Sequence, residues 1–168
     1  MLAIHISRST IKFAQLVNFK GTPFIESLGK VSLSEEFQNP DMTNTHVIMA
    51  LAEKISSIRN STDFPDTTTH LVIDSDWFPL GIHPVDGALT GNDLNKYLNW
   101  YMKEMLEGSV SQYSMVHQEL NRSSAKATQY LSMAIPQSFD LWVERIFGPS
   151  ELELKKVITE MEAVGNIL

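Results

Sequence analysis

Arg8, Ser9, Thr10 and Lys12 gather two hydroxyls and two cations into one short stretch near the N-terminus. In a tight turn such residues can face a phosphate, because backbone N–H dipoles and cationic side chains together stabilise an oxyanion. The plainer reading is a solvated hairpin turn with ordinary basic residues. A second group, His70, Asp74, Asp76 and His83, is the only His/Asp grouping that resembles a metal site. On a strand His70 and Asp74 share a face, and His83 could return across a turn. No H-E-x-x-H helix supports them, so the plainer reading is four solvent-facing side chains and no metal ligand is assigned. His46 and His117 show no acidic or hydroxyl arrangement that suggests a triad. G-x-S-x-G, a Gly-rich P-loop and G-x-G-x-x-G are all absent, which leaves a hydrolase or a Rossmann enzyme without a residue to carry it. With no cysteine there is no disulfide framework, thiol nucleophile or thiolate metal site.

The 168 residues suffice for one domain or two small lobes, and 43% apolar with 20% charged residues is ordinary for a packed core. A net charge of −7, from 20 acidic and 13 basic residues, repels phosphate backbones and makes nucleic acid a poor partner. No apolar run approaches the roughly 18 residues of a spanning helix, and the N-terminus lacks the basic charge of a signal peptide. The expectation is a cytoplasmic protein without direct membrane insertion.

The elements that must position these residues follow from periodicity. Residues 3–7, 9–17 and 23–33 alternate as strands, with Lys20-Gly21 as a hairpin signal, giving a three-stranded meander. Residues 34–44 and 60–69 read as polar loops. Val47, Ile48, Leu51, Ile55 and Ile58 make one apolar stripe, which predicts a helix over 45–59. Leu71-Val72-Ile73 is a short buried strand, and residues 77–85 form another, for which Pro79 and Pro84 imply an edge or irregular position. Thr90 and Asp93 have capping-box spacing for a helix over about 91–106. Residues 112–120 and 127–135 read as antiparallel strands around the turn Asn121-Arg122-Ser123-Ser124. A helix over about 138–147 ends at Gly148-Pro149. Ser150 and Glu153 form another capping box, which predicts a last helix over about 150–164 with Leu154, Val157, Ile158 and Met161 inward and Gly165-Asn166 as its stop.

The aromatic content of the helix at 91–106 is high. Tyr97, Trp100, Tyr101, Met102 and Met105 cover more than one face, so part of the set either packs between lobes or forms a partner patch. Trp77-Phe78 raise the same choice.

The order of these elements, with several local strings, resembles the N-terminal half of the PilM family, actin-like type IV pilus assembly proteins related to FtsA. Ile4 to Leu16 resembles the family's I-D-I-G-S-S-x-I-K-x-x-x-L. Gly29 to Leu33 sits at the matching strand end. Val72 to Phe78 with Gly81 to Pro84 resembles its strand–turn–strand. Leu98 to Leu106 resembles L-R-W-E-A-E-x-x-L before a strand like Ser111 to Leu120, and Tyr130 to Pro136 resembles an apolar strand ending in A-x-P. In this match the family aspartate falls on His5 and the glycine on Ser7. Carboxylates suit the hard Mg²⁺ ion better than imidazole does, and glycine opens the backbone to phosphate. The match runs out near Gly165, about where the family's second half begins.

The resemblance implies an α+β fold: a three-stranded meander plus helices and a second small sheet, as in the N-terminal lobes of the actin-like (ribonuclease H-like) fold. Residues 1–69 form a first lobe and 70–168 a second. It further implies a non-catalytic scaffold that binds the short cytoplasmic segment of a membrane-anchored assembly protein at the inner membrane, with homo-oligomers compatible. The phosphate-loop-like residues are then Ser9, Thr10 and Lys12. The partner-binding candidates are Trp100, Tyr97, Tyr101, Trp77 and Phe78. No cofactor is expected beyond weak ATP. Two other classes stay open: a degenerate nucleotide-binding half-domain acting through Lys12, and a small ligand- or metal-binding module using His70 and Asp74.

Overall fold

The N-terminal sequence LAIHI alternates so that Leu2, Ile4 and Ile6 bury on one side of a strand, and this strand is the axis of the larger sheet. In the computed structural model, residues 1–34, 37, 42–61, 67–106, 109–124 and 127–160 are described, with the backbone alone for 121–124. Strands β1 (Leu2–Ile6), β2 (Thr10–Phe19) and β3 (Thr22–Ser32) form the expected antiparallel meander. Lys20 and Gly21 take φ of 53° and 86°, the positive values that a two-residue hairpin of primed type requires.

The meander is part of a larger sheet. Strand β4 (Thr68–Ile73) lies parallel to β1, and β8 (Glu153–Thr159) lies parallel to β4, giving the order β3-β2-β1-β4-β8. The register aligns Leu2 with Thr69, Ile4 with Leu71 and Ile6 with Ile73, so their side chains share the buried face. Helix α1 (Thr45–Ser61) contributes the predicted stripe, with Ala52 added. Its start is capped by Asn44, whose Oδ1 accepts from the N–H of His46 at 3.0 Å and of Val47 at 3.4 Å. Helix α3 (Phe139–Phe147) supplies Trp142, which is 1% exposed and meets Trp77 and Phe139 at centroid distances of 5.1 and 5.8 Å. On the same sheet face Gly29 pairs with Phe13, and a Cβ on Gly29 would stand 2.0 Å from Phe13 Cζ. The aromatic ring fills the space a side chain would take.

The second unit spans Phe78–Gln137, and the first comprises Met1–Trp77 with Ser138–Leu168. This corrects the boundary expected at 69/70: β4 is hydrogen-bonded between β1 and β8 and belongs with them. The second unit's sheet runs β5 (Leu80–Asp86), β7 (Ala127–Pro136), β6 (Tyr113–Ser124), all antiparallel. Pro84 sits on edge strand β5, as its missing N–H demands. Helix α2 (Gly91–Lys103) buries Leu98 and Met102.

Several expectations are corrected. The last predicted helix is instead strand β8 over its described part, residues 161–164 and the stop at 165–166 lying outside the described residues. The apparent helical stripe of Leu154, Val157 and Ile158 arises from a bulge: the register steps from Thr69–Leu154 to His70–Lys156, so the alternation slips by one at Lys155. Its capping serine serves a turn, with Ser150 Oγ donating to Phe147 O at 2.6 Å. Thr90 makes no side-chain cap bond, and Asp93 lies 3.8 Å from Lys96 instead. Trp77 closes a 3-10 turn over Ser75–Trp77, so β5 starts later than predicted. Residues 121–124 continue β6 rather than turning. Within the polar loop at 34–44, Phe37 is fully buried.

The second unit holds an unforeseen polar chain. Ser132 Oγ, buried in the central strand, lies 2.8 Å from both His83 Nε2 and His117 Nδ1, and His117 Nε2 lies 3.0 Å from Asn99 Oδ1. With Asn99 Oδ1 accepting, all bonds close when His117 carries its proton on Nε2, Ser132 donates to His117, and His83 Nε2–H donates to Ser132. His83 also stacks on Tyr101, with centroids 4.0 Å apart. His117 thus has the hydroxyl neighbour that the sequence did not suggest. Burial lowers the pKa of His83, while burial and then repulsion from His83 lower that of His117.

Two outcomes follow for stability. Unfolded histidine, with a pKa of about 6.5, takes up protons before these folded ones do, so stability is full above about pH 6.5 and falls as the pH drops below it. Thermal melts between pH 7.5 and 5 should show a decreasing midpoint, flattened in His83→Phe/His117→Phe; a pH-independent midpoint contradicts the protonation argument. In the first unit, Trp142→Ala should cost about 3–5 kcal/mol in urea unfolding, the range for deleting a buried aromatic.

Candidate functional site

The turn between β1 and β2 is held by Ser7. Its N–H donates to Thr10 O at 2.9 Å, its Oγ accepts the Thr10 N–H at 3.1 Å, and the two hydroxyls lie 3.0 Å apart. The Ser7 and Thr10 amides are therefore used inside the turn. Ser9 is exposed and its carbonyl accepts from Leu33 N at 2.8 Å, while the Arg8 guanidinium donates to Asp76 O. Lys12 lies exposed on β2, opposite His5 on one side and Lys30 on the other. The phosphate-loop-like residues thus divide: Thr10 turns its hydroxyl to Ser7, and Lys12 belongs to the sheet face.

That face is the one opposite the buried Ile4 and Leu71. Ala3, His5, Lys12, Ala14, Leu28, Lys30 and Val72 alternate onto it by register and line a shallow trough of about 480 Å³. Leu28 is 71% exposed, a large apolar side chain standing in solvent beside two lysines. Strand β3 also presents exposed Phe24 and Ile25, and it lies at the edge of the sheet among the described residues. The signal for this trough was present in the sequence as alternation in β1 and β2. What covers each face depends on tertiary packing, which alternation does not encode.

The aromatic candidates separate by exposure. Trp77 and Phe78, two of the partner-binding candidates, are 7% and 5% exposed, and Trp77 packs on Trp142, the buried alternative of the two that their types allow. Tyr101 is half-buried against His83. Trp100 is 56% exposed, with half-buried Tyr97 at 6.0 Å and Lys96 and Lys103 in the same shallow pocket. Of the His70, Asp74, Asp76, His83 grouping, His83 is spent on Ser132 inside the second unit, while His70, Asp74 and Asp76 belong to the first. Asp74 Oδ1 accepts the Asp76 N–H at 3.1 Å, a local turn bond.

Neither a family model nor the sequence of a curated protein matches the chain. Solved structures do. One described as a PilM-PilN type IV pilus biogenesis complex aligns with TM-score 0.63 and 13% identity over 96% of this chain and 48% of the other. A second, the cytoplasmic domain of EpsL, an inner membrane component of the type II secretion system of Vibrio cholerae, aligns with TM-score 0.55 and 10% identity over 94% and 56%. The chain spans about half the length of these proteins. The fold is the PilM-like, actin-like one; of these two proteins that share it, one belongs to a type IV pilus biogenesis complex and the other to a type II secretion system.

Replacing Ser7 by alanine removes the acceptor of the Thr10 N–H and should cost about 0.5–1.5 kcal/mol, the net worth of one such bond. Urea unfolding checks it, and an unchanged midpoint would show that the turn closes without its serine.

Proposed function

We propose that the chain is a non-catalytic assembly scaffold of PilM type, docking a short cytoplasmic segment of a membrane-anchored partner beside the inner membrane. The observation that carries this reading is the trough on the sheet face opposite Ile4 and Leu71. Apolar Ala3, Ala14, Leu28 and Val72 form its floor, and Lys12 and Lys30 stand beside them. An extended segment with alternating apolar and acidic residues suits it, and the adjoining β3 edge offers main-chain hydrogen bonds to such a segment. The PilM-PilN structure supports the same direction, since the protein sharing this fold is there part of a complex of two proteins. Among the described residues no helix is long and apolar enough to cross a membrane. Trp100, flanked by Lys96 and Lys103, is a second candidate contact on the other unit.

Nucleotide turnover has little support in the loop. His5 stands where the resembling family has its aspartate, and the Ser7 hydroxyl occupies the Thr10 amide. The scaffold reading expects no saturable heat on titration with millimolar Mg²⁺-ATP. Binding that Lys12→Ala abolishes would instead favour the degenerate nucleotide module.

The docking itself is tested with labelled peptides covering the cytoplasmic segments of the host's single-span pilus and secretion assembly proteins. Fluorescence anisotropy should find one that binds, with affinity at least about tenfold weaker for Leu28→Asp, the loss of one buried apolar anchor plus the cost of a buried charge. Binding that survives Leu28→Asp and Lys30→Glu but fails in Trp100→Ala would move the interface to α2. If no peptide in the set binds, the docking reading fails.

A further inference from the structure

We propose that His5, Asp74 and Glu160 form a binding site for a zinc-class divalent cation. One ligand atom from each lies within 4.8 Å of those of the other two. Their positions are fixed by the sheet rather than by loop chance. His5 belongs to β1, next to Val72 of β4 in register. Asp74 follows β4 immediately, and its N–H still bonds to Ile6 O at 3.0 Å, which holds it beside β1. Glu160 follows Thr159, the β8 partner of Ile73. All three side chains therefore sit at the carboxyl ends of the three parallel strands, where ligands of open α/β sheets bind.

The imidazole gives the independent sign of a ligand. His5 Nε2 is secluded from solvent and has no hydrogen-bond partner, although it lies beside two carboxyl groups. A buried ring nitrogen left without a partner costs free energy, and in the tautomer that leaves the Nε2 lone pair free a Lewis acid satisfies it. Asp74 is already oriented, since the Asp76 N–H holds one of its carboxylate oxygens as the outer hydrogen bond of a metal ligand does. Glu160 is exposed at the rim and has a long, adjustable side chain. Tetrahedral zinc with metal–ligand bonds of about 2.0–2.1 Å needs ligand atoms about 3.4 Å apart, a contraction that rotation of Glu160 and Asp74 can supply.

The donor set selects the metal. One imidazole and two carboxylates suit zinc and neighbouring d-block divalent ions, whereas Mg²⁺ prefers oxygen and keeps its waters. Two carboxylates neutralise the ion's charge, and three protein ligands leave a coordination position for water. The inference does not depend on the docking reading, because the ligands are residues of this chain alone.

The test is equilibrium dialysis of chelator-stripped 168-residue protein against ZnCl₂, read by elemental analysis, with Co²⁺ absorption as a second readout of coordination. The site predicts one equivalent of zinc, unaffected by millimolar Mg²⁺. His5→Asn and Asp74→Asn should each weaken it about 10- to 100-fold, whereas His46→Asn, on the surface of α1, should not. His5 and Asp74 lie outside the buried face, and Asp74→Asn keeps an oxygen for the Asp76 N–H, so circular dichroism should show both variants folded. Glu160→Gln serves as a third variant at an exposed position if either is not. Substoichiometric zinc, or stoichiometric zinc that both variants retain, overturns the proposal.

Discussion

The parallel pairing of β1 with β4 is the constraint from which the rest of the first unit follows. Once Leu2, Ile4 and Ile6 are in register with Thr69, Leu71 and Ile73, one face must be buried, and α1 and α3 supply the apolar stripes. The same register sends Ala3, His5 and Val72 to the opposite face. It also brings residues distant in sequence to one end of the sheet, as the bond from Asp74 N to Ile6 O shows. An antiparallel β4 would have carried that end of the chain to the far side of the sheet. The trough and the cation cluster are thus two outcomes of a single pairing.

Local patterns in the sequence reported local structure well. The Lys20-Gly21 hairpin, the α1 stripe and the strand pair expected at 112–120 and 127–135 all rest on short-range physics: positive φ, helical period and alternation. The fold class was legible too, through the order of elements and the strings from Ile4 to Pro136 that resemble the PilM family. What was not legible depended on partners far away. Strand β8 looked helical because one bulge at Lys155 converts a period of two into an apparent period near four. The domain boundary was missed because α3 and β8 return to the first sheet after the whole second unit has been laid down. No pattern in one strand announces that its neighbour comes from residues 153–159.

The candidate site divides in the same way. Chemistry carried by neighbouring residues was visible in outline, yet the turn at Ser7 proved to be closed on itself. Chemistry assembled across strands was invisible: Asn99, His117, Ser132 and His83 come from α2, β6, β7 and β5, and His5, Asp74 and Glu160 from three strand ends. Aromatic residues were conspicuous but ambiguous, since only burial separates Trp77, locked against Trp142, from the exposed Trp100. Residue type alone says that a tryptophan makes large contacts; it does not say with whom.

The Phe13 ring over Gly29 bears on how this sheet can change over time. A glycine in a strand is weak by itself, and an aromatic laid across it from the next strand makes good the missing side chain. The two positions therefore behave as one unit under substitution. A side chain acquired at Gly29 is tolerated only after Phe13 has shrunk, and a smaller residue at Phe13 first exposes bare backbone on β3. Descendants of this chain would cross between the two solutions through a less stable intermediate, so Phe13 and Gly29 should be kept together or lost together.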